Sequence, residues 1–190
     1  MINNFRKWIS GYFVRKNLKG PRVPQVYNLD SANSLCFLFN ADNRKEFDLI
    51  QRLIKEVKTK HGIKDVSALG ITRHPRKKLP SYLAHSIKDV LIYTKNDYTV
   101  FYKPKSKGKA FLDFARKNFN ILIDFTKNVL PPGTKLLAMS EAEFKVGFYK
   151  PENEPFYELM IGGQKSTMEE FTKQVFHYLN IINKNDAKKV

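Results

Sequence analysis

With 190 residues, 42% of them hydrophobic and 13% aromatic, the chain is long enough for one packed core and too short for two of ordinary size. That composition excludes a wholly disordered chain. The charge is the abnormal quantity: 34 Lys and Arg against 18 Asp and Glu leave +16, which speaks of a polyanionic partner, nucleic acid or anionic membrane, rather than of a fold.

Residues 1–27 carry Arg6, Lys7, Arg15, Lys16, Lys19 and Arg22 and no acid. Phe5, Trp8, Ile9, Tyr12 and Phe13 recur at the spacing of one helical face, which predicts an amphipathic helix over 3–16 stopped by Gly20-Pro21. Such a helix can lie in a membrane interface, or it can pack on the domain's own sheet, which is commoner. Val23-Pro24-Gln25-Val26 reads as extended, because proline fixes its own φ and disfavours the α region before it.

Leu35–Phe39 is a short continuous apolar run, as in a strand covered on both faces. The single cysteine, Cys36, lies within it. It has no partner for an internal disulfide and reads as a small buried hydrophobe in a reducing compartment. Asn43-Arg44-Lys45-Glu46 has capping-box spacing. Phe47, Ile50, Leu53, Ile54 and Val57 then mark a helix face that ends near His61-Gly62, and Val66–Ile71 supplies a second strand. Together these predict a right-handed βαβ unit.

The segment 73–109 is punctuated by Pro75, Pro80 and Pro104, with apolar islands at Val90–Tyr93 and Tyr98–Tyr102. It holds Arg73, Arg76, Lys77, Lys78, Lys88, Lys95, Lys103, Lys105, Lys107 and Lys109 against Asp89 and Asp97 alone. With the arm, that makes sixteen basic and two acidic residues, whereas the other 126 residues carry eighteen and sixteen. A solvated surface mixes signs; segregation of this kind resembles an electrostatic footprint on phosphates. Lys103, Lys105, Lys107 and Lys109, separated by Pro104, Ser106 and Gly108, form a series suited to following a phosphate backbone. The candidate RNA-binding residues are the six cations of the arm, Arg73, Arg76, Lys77 and Lys78, and the four lysines of that series. Trp8 and Tyr12 would stack on bases if exposed, but core packing is the commoner role.

Further along, Phe111, Leu112, Phe114 and Ala115 suggest a short helix, and Asn120–Phe125 another strand. Pro131-Pro132-Gly133 is expected to break the chain before a helix through Leu136, Leu137 and Met139. Lys145–Tyr149 and Tyr157–Ile161 read as strands. Ser166 and Glu169 have capping-box spacing ahead of a closing helix whose inward stripe is Met168, Phe171, Val175, Tyr178, Leu179 and Ile182. The alternation predicts an α/β fold: a single three-layer, largely parallel sheet with helices on both faces. The domain is expected over 28–183 with a basic insertion at 73–109, preceded by the basic helical arm at 1–27 and followed by a polar tail at 184–190.

In such sheets ligands sit beyond the carboxyl ends of the strands. Asn40-Ala41-Asp42-Asn43, after the first strand, has none of the closely spaced glycines that bring backbone up to phosphates. Asp42 and Asp124 are the acids that a nucleotide-using, Rossmann-like or glycosyltransferase-like enzyme would use, but a turn or helix-cap role is the stronger expectation for each. Gly162-Gly163 lacks the rest of a phosphate loop and reads as a turn. His61, His74, His85 and His177 show no metal-ligand spacing, and Ser140-Glu141-Ala142-Glu143 reads as solvated surface. The residues therefore predict no catalytic group, no metal and no cofactor. No stretch approaches the roughly 18 apolar residues that span a bilayer, so the expected location is the cytoplasm.

Asn28-Leu29-Asp30-Ser31-Ala32, the run into Leu35–Asp42, the strand Asn120-Ile121-Leu122-Ile123-Asp124, Ser140 to Gly147, Tyr157-Glu158-Leu159-Met160-Ile161, and His177 to Asn183 together resemble a Bacteroidota-restricted family of unknown function. The resemblance covers nearly the whole chain, and the family's name carries no activity. Ribosomes of that lineage contain an additional large-subunit protein, and the chain looks like a candidate for it. No binding residues carry over. What the resemblance and the charge imply is a non-catalytic RNA-binding protein whose partners are rRNA and neighbouring ribosomal proteins, with no DNA sequence specificity.

Overall fold

The computed structural model describes residues 25–84, 88–99, 104–105, 109–127, 131–162 and 166–183. The expected helix at 3–16 lies outside the described residues, as do most of the Tyr98–Tyr102 island and the tail from 184.

Strand β1, Ser34–Asn40, buries Leu35 to Phe39 completely, as its unbroken apolar run requires. Helix α1, Arg44–Lys60, turns Phe47, Ile50, Leu53, Ile54 and Val57 inward. Asn43 caps it by accepting from the Lys45 amide at 3.0 Å. The reciprocal box suggested by the spacing does not form there: the Asn43 side-chain Nδ2 donates to Glu46 Oε1 at 3.2 Å instead. Strand β2, Asp65–Ile71, lies parallel to β1, completing the βαβ unit. A one-turn helix α2, Ser81–Ala84, and strand β3, Val90–Tyr93, follow within the basic segment. Helix α3, Lys109–Arg116, leads to β4, Ile121–Asp124, and helix α4, Pro131–Met139, to β5, Phe144–Phe148. The chain closes with β6, Leu159–Ile161, and helix α5, Met168–Ile181.

Two expected boundaries shift for physical reasons. Pro131 and Pro132 open α4 rather than preceding it, because first-turn amides need no partner and proline's φ already suits a helix. The box at the start of α5 is Thr167 with Glu170, one residue beyond Ser166 and Glu169: Thr167 Oγ1 accepts from the Glu170 amide at 3.1 Å, and Glu170 accepts from the Thr167 amide at 2.7 Å.

Among the described residues the sheet has six strands, all parallel, in the order β3-β2-β1-β4-β5-β6. Residues alternate between the two faces. Leu35, Phe37 and Phe39 meet α1 and α5 on one side, while Cys36 and Leu38 meet α3 and α4 on the other. The result is a three-layer α/β/α sandwich, doubly wound, with the strand order reversing between β1 and β4. Lys145 on β5 is buried on the second face, where its ammonium donates to the carbonyls of Leu137 and Ser140 at 2.9 and 2.8 Å and so closes the end of α4. Among the described residues no helix is long and apolar enough to cross a membrane.

Candidate nucleic-acid interface

The loop leaving β2 carries the first four internal candidates. Thr72, fully buried, donates its hydroxyl to Asp42 Oδ1 and accepts from the His74 amide at 3.0 Å, which turns the chain sharply. Pro75 then starts a 3-10 turn, Arg76–Lys78, that leaves no side chain buried. All four cations stay outside because nothing in this turn faces the core.

What holds the turn is Asp97. Its carboxylate, almost fully buried, accepts from the amide and hydroxyl of Thr94 at 2.8 and 2.7 Å. Arg76 adds Nη2 at 3.1 Å to both oxygens, and its own amide donates to Asn96 Oδ1 at 2.8 Å. From the other side, the Lys105 amide donates to the Asp97 carbonyl at 2.9 Å, and Tyr98 bridges to Pro104. The two halves of the basic segment therefore converge on one buried aspartate. Around it runs an open groove of about 670 Å³, lined by Pro75, Arg76, Lys77, Lys78, Asn96 and Asp97. The Arg76 side chain is 64% exposed despite its pairing, and Lys77, Lys78, Lys95 and Lys105 are exposed.

The structure does not bring every candidate to this groove. Arg73 turns toward the end of β1, where its Nε donates to Asp42 Oδ2 at 3.0 Å. Lys109 opens α3, its side chain outside the described set. Arg6, Lys7, Arg15, Lys16, Lys19, Arg22, Lys103 and Lys107 lie outside the described residues. Two of the expected phosphate ligands, Arg73 and Arg76, thus spend part of their charge on the protein's own acids.

The two aspartates considered as catalytic acids have structural tasks. Asp42 does not cap α1; it ties the end of β1 to the loop after β2. Burial raises its carboxyl, but hydrogen bonds from Thr72 and Arg73 outweigh that and hold it below the usual range. Asp124, fully buried at the end of β4, accepts from the amide and hydroxyl of Thr126 at 2.7 Å each and from the Tyr157 hydroxyl at 2.5 Å. Burial pushes its carboxyl up to about 6, against the pull of those donors and of Lys150. Glu143 also differs from the solvated surface expected of it: its two oxygens accept from the amides of Asn118 and Asn120 at 2.9 and 3.1 Å. Among the described residues no three His, Cys, Asp or Glu come together as a metal site.

A family model described as a family of unknown function, DUF6913, matches residues 6–182. The chain belongs to that family. No curated protein matches it. Among solved structures, this DUF6913 member is similar to an E. coli heptosyltransferase, WaaC, with ADP-2-deoxy-2-fluoro heptose, at 17% identity and a TM-score of 0.45. The match covers 75% of this chain and 47% of that one, so the chain spans about half the length of the enzyme.

Sequence reasoning missed the residues that organise the DUF6913 groove. Asp97 counted only as one of two acids in a basic stretch, and Asn96 was not singled out. The Thr94-x-x-Asp97 spacing was the available signal, since Thr94 and Asp97 form a complete capping box around the turn. Asp97→Ala should therefore cost about 2 kcal/mol, the loss of a buried acceptor and a cap. Arg76→Ala, at an exposed ion pair, should cost under about 1 kcal/mol. Urea midpoints of the two variants check this, and equal shifts would remove Asp97 from its organising role.

Proposed function

We propose that this protein binds RNA without catalysing a reaction, laying the basic arm and the Asp97-centred groove against phosphates, and that the RNA is ribosomal, in the large subunit. The observation that carries the reading is the convergence just described. Two basic stretches separated by an entire strand are both tied to Asp97, Arg76 through its carboxylate and Lys105 through its main-chain carbonyl, while Arg76, Lys77 and Lys78 line one groove around it. A protein this positive, with its excess confined to a few segments, is suited to displacing counterions from a folded RNA and reading its shape. A nucleotide-using enzyme fits less well, because Asp42 and Asp124 are already committed to Thr72, Arg73, Thr126 and Tyr157.

The test is sedimentation of tagged protein from lysate through sucrose gradients at low and high salt. It should travel with the large subunit at low salt and leave it as salt rises. With purified RNA, the affinity should fall by about 10³ or more between 50 and 200 mM salt if six or more phosphates are neutralised. Reversing Lys103, Lys105, Lys107 and Lys109 to Glu should weaken all RNAs alike. Intact co-sedimentation of that variant would discard the footprint.

A further inference from the structure

Strand β3 stands at the open edge of the sheet, paired only with β2 among the described residues. The carbonyls of Asp89 and Tyr93 accept from the Ala68 and Thr72 amides at 2.7 and 3.0 Å. By the alternation of a strand, the amides and carbonyls of Val90 and Ile92 point the other way, off the sheet. Against that edge lies a cavity of about 450 Å³, within the size range of small-ligand pockets. Its walls are Leu79, Leu83, Val90 and Ile92, and Phe47 of α1 forms its floor. Tyr82 steadies Phe47: the two ring centroids lie 5.5 Å apart, and the Tyr82 hydroxyl donates to the Ala41 carbonyl at 3.0 Å. Arg76 and Lys77 line both this cavity and the basic groove, so the two adjoin along that pair.

We propose that the cavity receives one unpaired base of the bound RNA, with the adjoining phosphates lying across Arg76 and Lys77. The inference rests on the RNA-binding reading and goes beyond it by naming what is recognised. An apolar slot alone would take any flat or chain-like group. The cationic rim restricts it to an anion, and the outward backbone groups of Val90 and Ile92 offer a donor and an acceptor to a base edge. A base inside a duplex is stacked and cannot enter, whereas a splayed base in a loop or single strand can.

The probes are a labelled oligouridine and a fully paired RNA duplex with the same number of phosphates, titrated by fluorescence anisotropy at matched salt. The wild-type protein should prefer oligouridine by about tenfold, the lower end of what one enclosed base contributes. Ala84 lines the cavity and is exposed, so Ala84→Trp places an indole at its mouth; it should remove that preference while leaving duplex affinity and its salt dependence unchanged. Leu79→Trp repeats the test from the facing wall, with thermal melts showing that each variant folds. Lys77→Glu should weaken both RNAs equally. Equal wild-type affinity for the two probes, or Trp variants that still prefer oligouridine, would overturn the base pocket while RNA binding stands. Displacement of oligouridine by decanoate would overturn it too, assigning the cavity to an acyl chain. Failure of either RNA to bind would overturn the phosphate reading itself.

Discussion

Gly147→Ala should destabilise the protein by about 3 kcal/mol, combining overpacking with damage to a buried hydrogen bond. A Cβ at Gly147 would stand 2.5 Å from Cζ of Tyr157 and 2.6 and 2.7 Å from two further ring atoms, so it would strike the face of the ring rather than its end. The ring is there for a reason. Tyr157 leaves the chain just before β6 and crosses above β5 to reach Asp124 on β4, its hydroxyl 2.5 Å from Oδ2. A bare backbone at Gly147 is what lets it pass. The comparison is Gly62→Ala, where φ is +68° but nothing lies within 4 Å, so only backbone strain of about 1 kcal/mol is expected. A double-mutant cycle completes the test: in a Tyr157→Ala background, Gly147→Ala should lose most of its effect. If its cost, read from urea midpoints, is the same in both backgrounds, the ring is not what requires the glycine.

The layered architecture was legible because its centre is strongly patterned. β1 holds five consecutive apolar residues, α1 repeats its apolar positions at helical spacing, and a largely parallel sheet follows from the alternation of such units. The order of the strands was not predicted, although β3 and β6 carry marks of an edge: both are short, and Lys88 and Lys95 flank β3. The shifted box at Thr167 and the helix beginning at Pro131 show the usual weakness of boundaries, where neighbouring residues offer equivalent chemistry and packing chooses between them. The site was half legible. Local charge density marked Arg76, Lys77, Lys78 and Lys105, but what ties Arg76 and Lys105 together is Asp97, a tertiary partner twenty-one residues from the first of them. Arg73 was drawn away by Asp42 through the same kind of partnership, which charge counting along a chain cannot register.

Asp124 gives the second large effect, and it appears as a dependence on pH. Its carboxyl titrates near 3.8 in the unfolded chain and at about 6 in the folded one, raised by burial. Between those values the folded state binds a proton that the unfolded state has released. Folding is therefore favoured at the acid end of the window, and the contribution is lost as pH rises from about 4 through about 6. A gap of that size corresponds to about 3 kcal/mol. Glu46, also raised by burial, acts in the same direction, whereas Asp42 and Glu143, both lowered, act oppositely and only toward more acid pH. The net charge of +16 grows on acidification and works against compactness, so the wild-type curve alone is a poor test. The difference between wild type and Asp124→Asn cancels that background. Asparagine keeps the size of the side chain and still accepts from Thr126, but it cannot titrate. Measured by urea unfolding across the window, wild type minus Asp124→Asn should gain about 2 kcal/mol on going from neutral pH to about 4. A flat difference would mean that Asp124 is ionised in the folded protein at all these pH values, and that Tyr157 and Thr126 hold a full charge in the core.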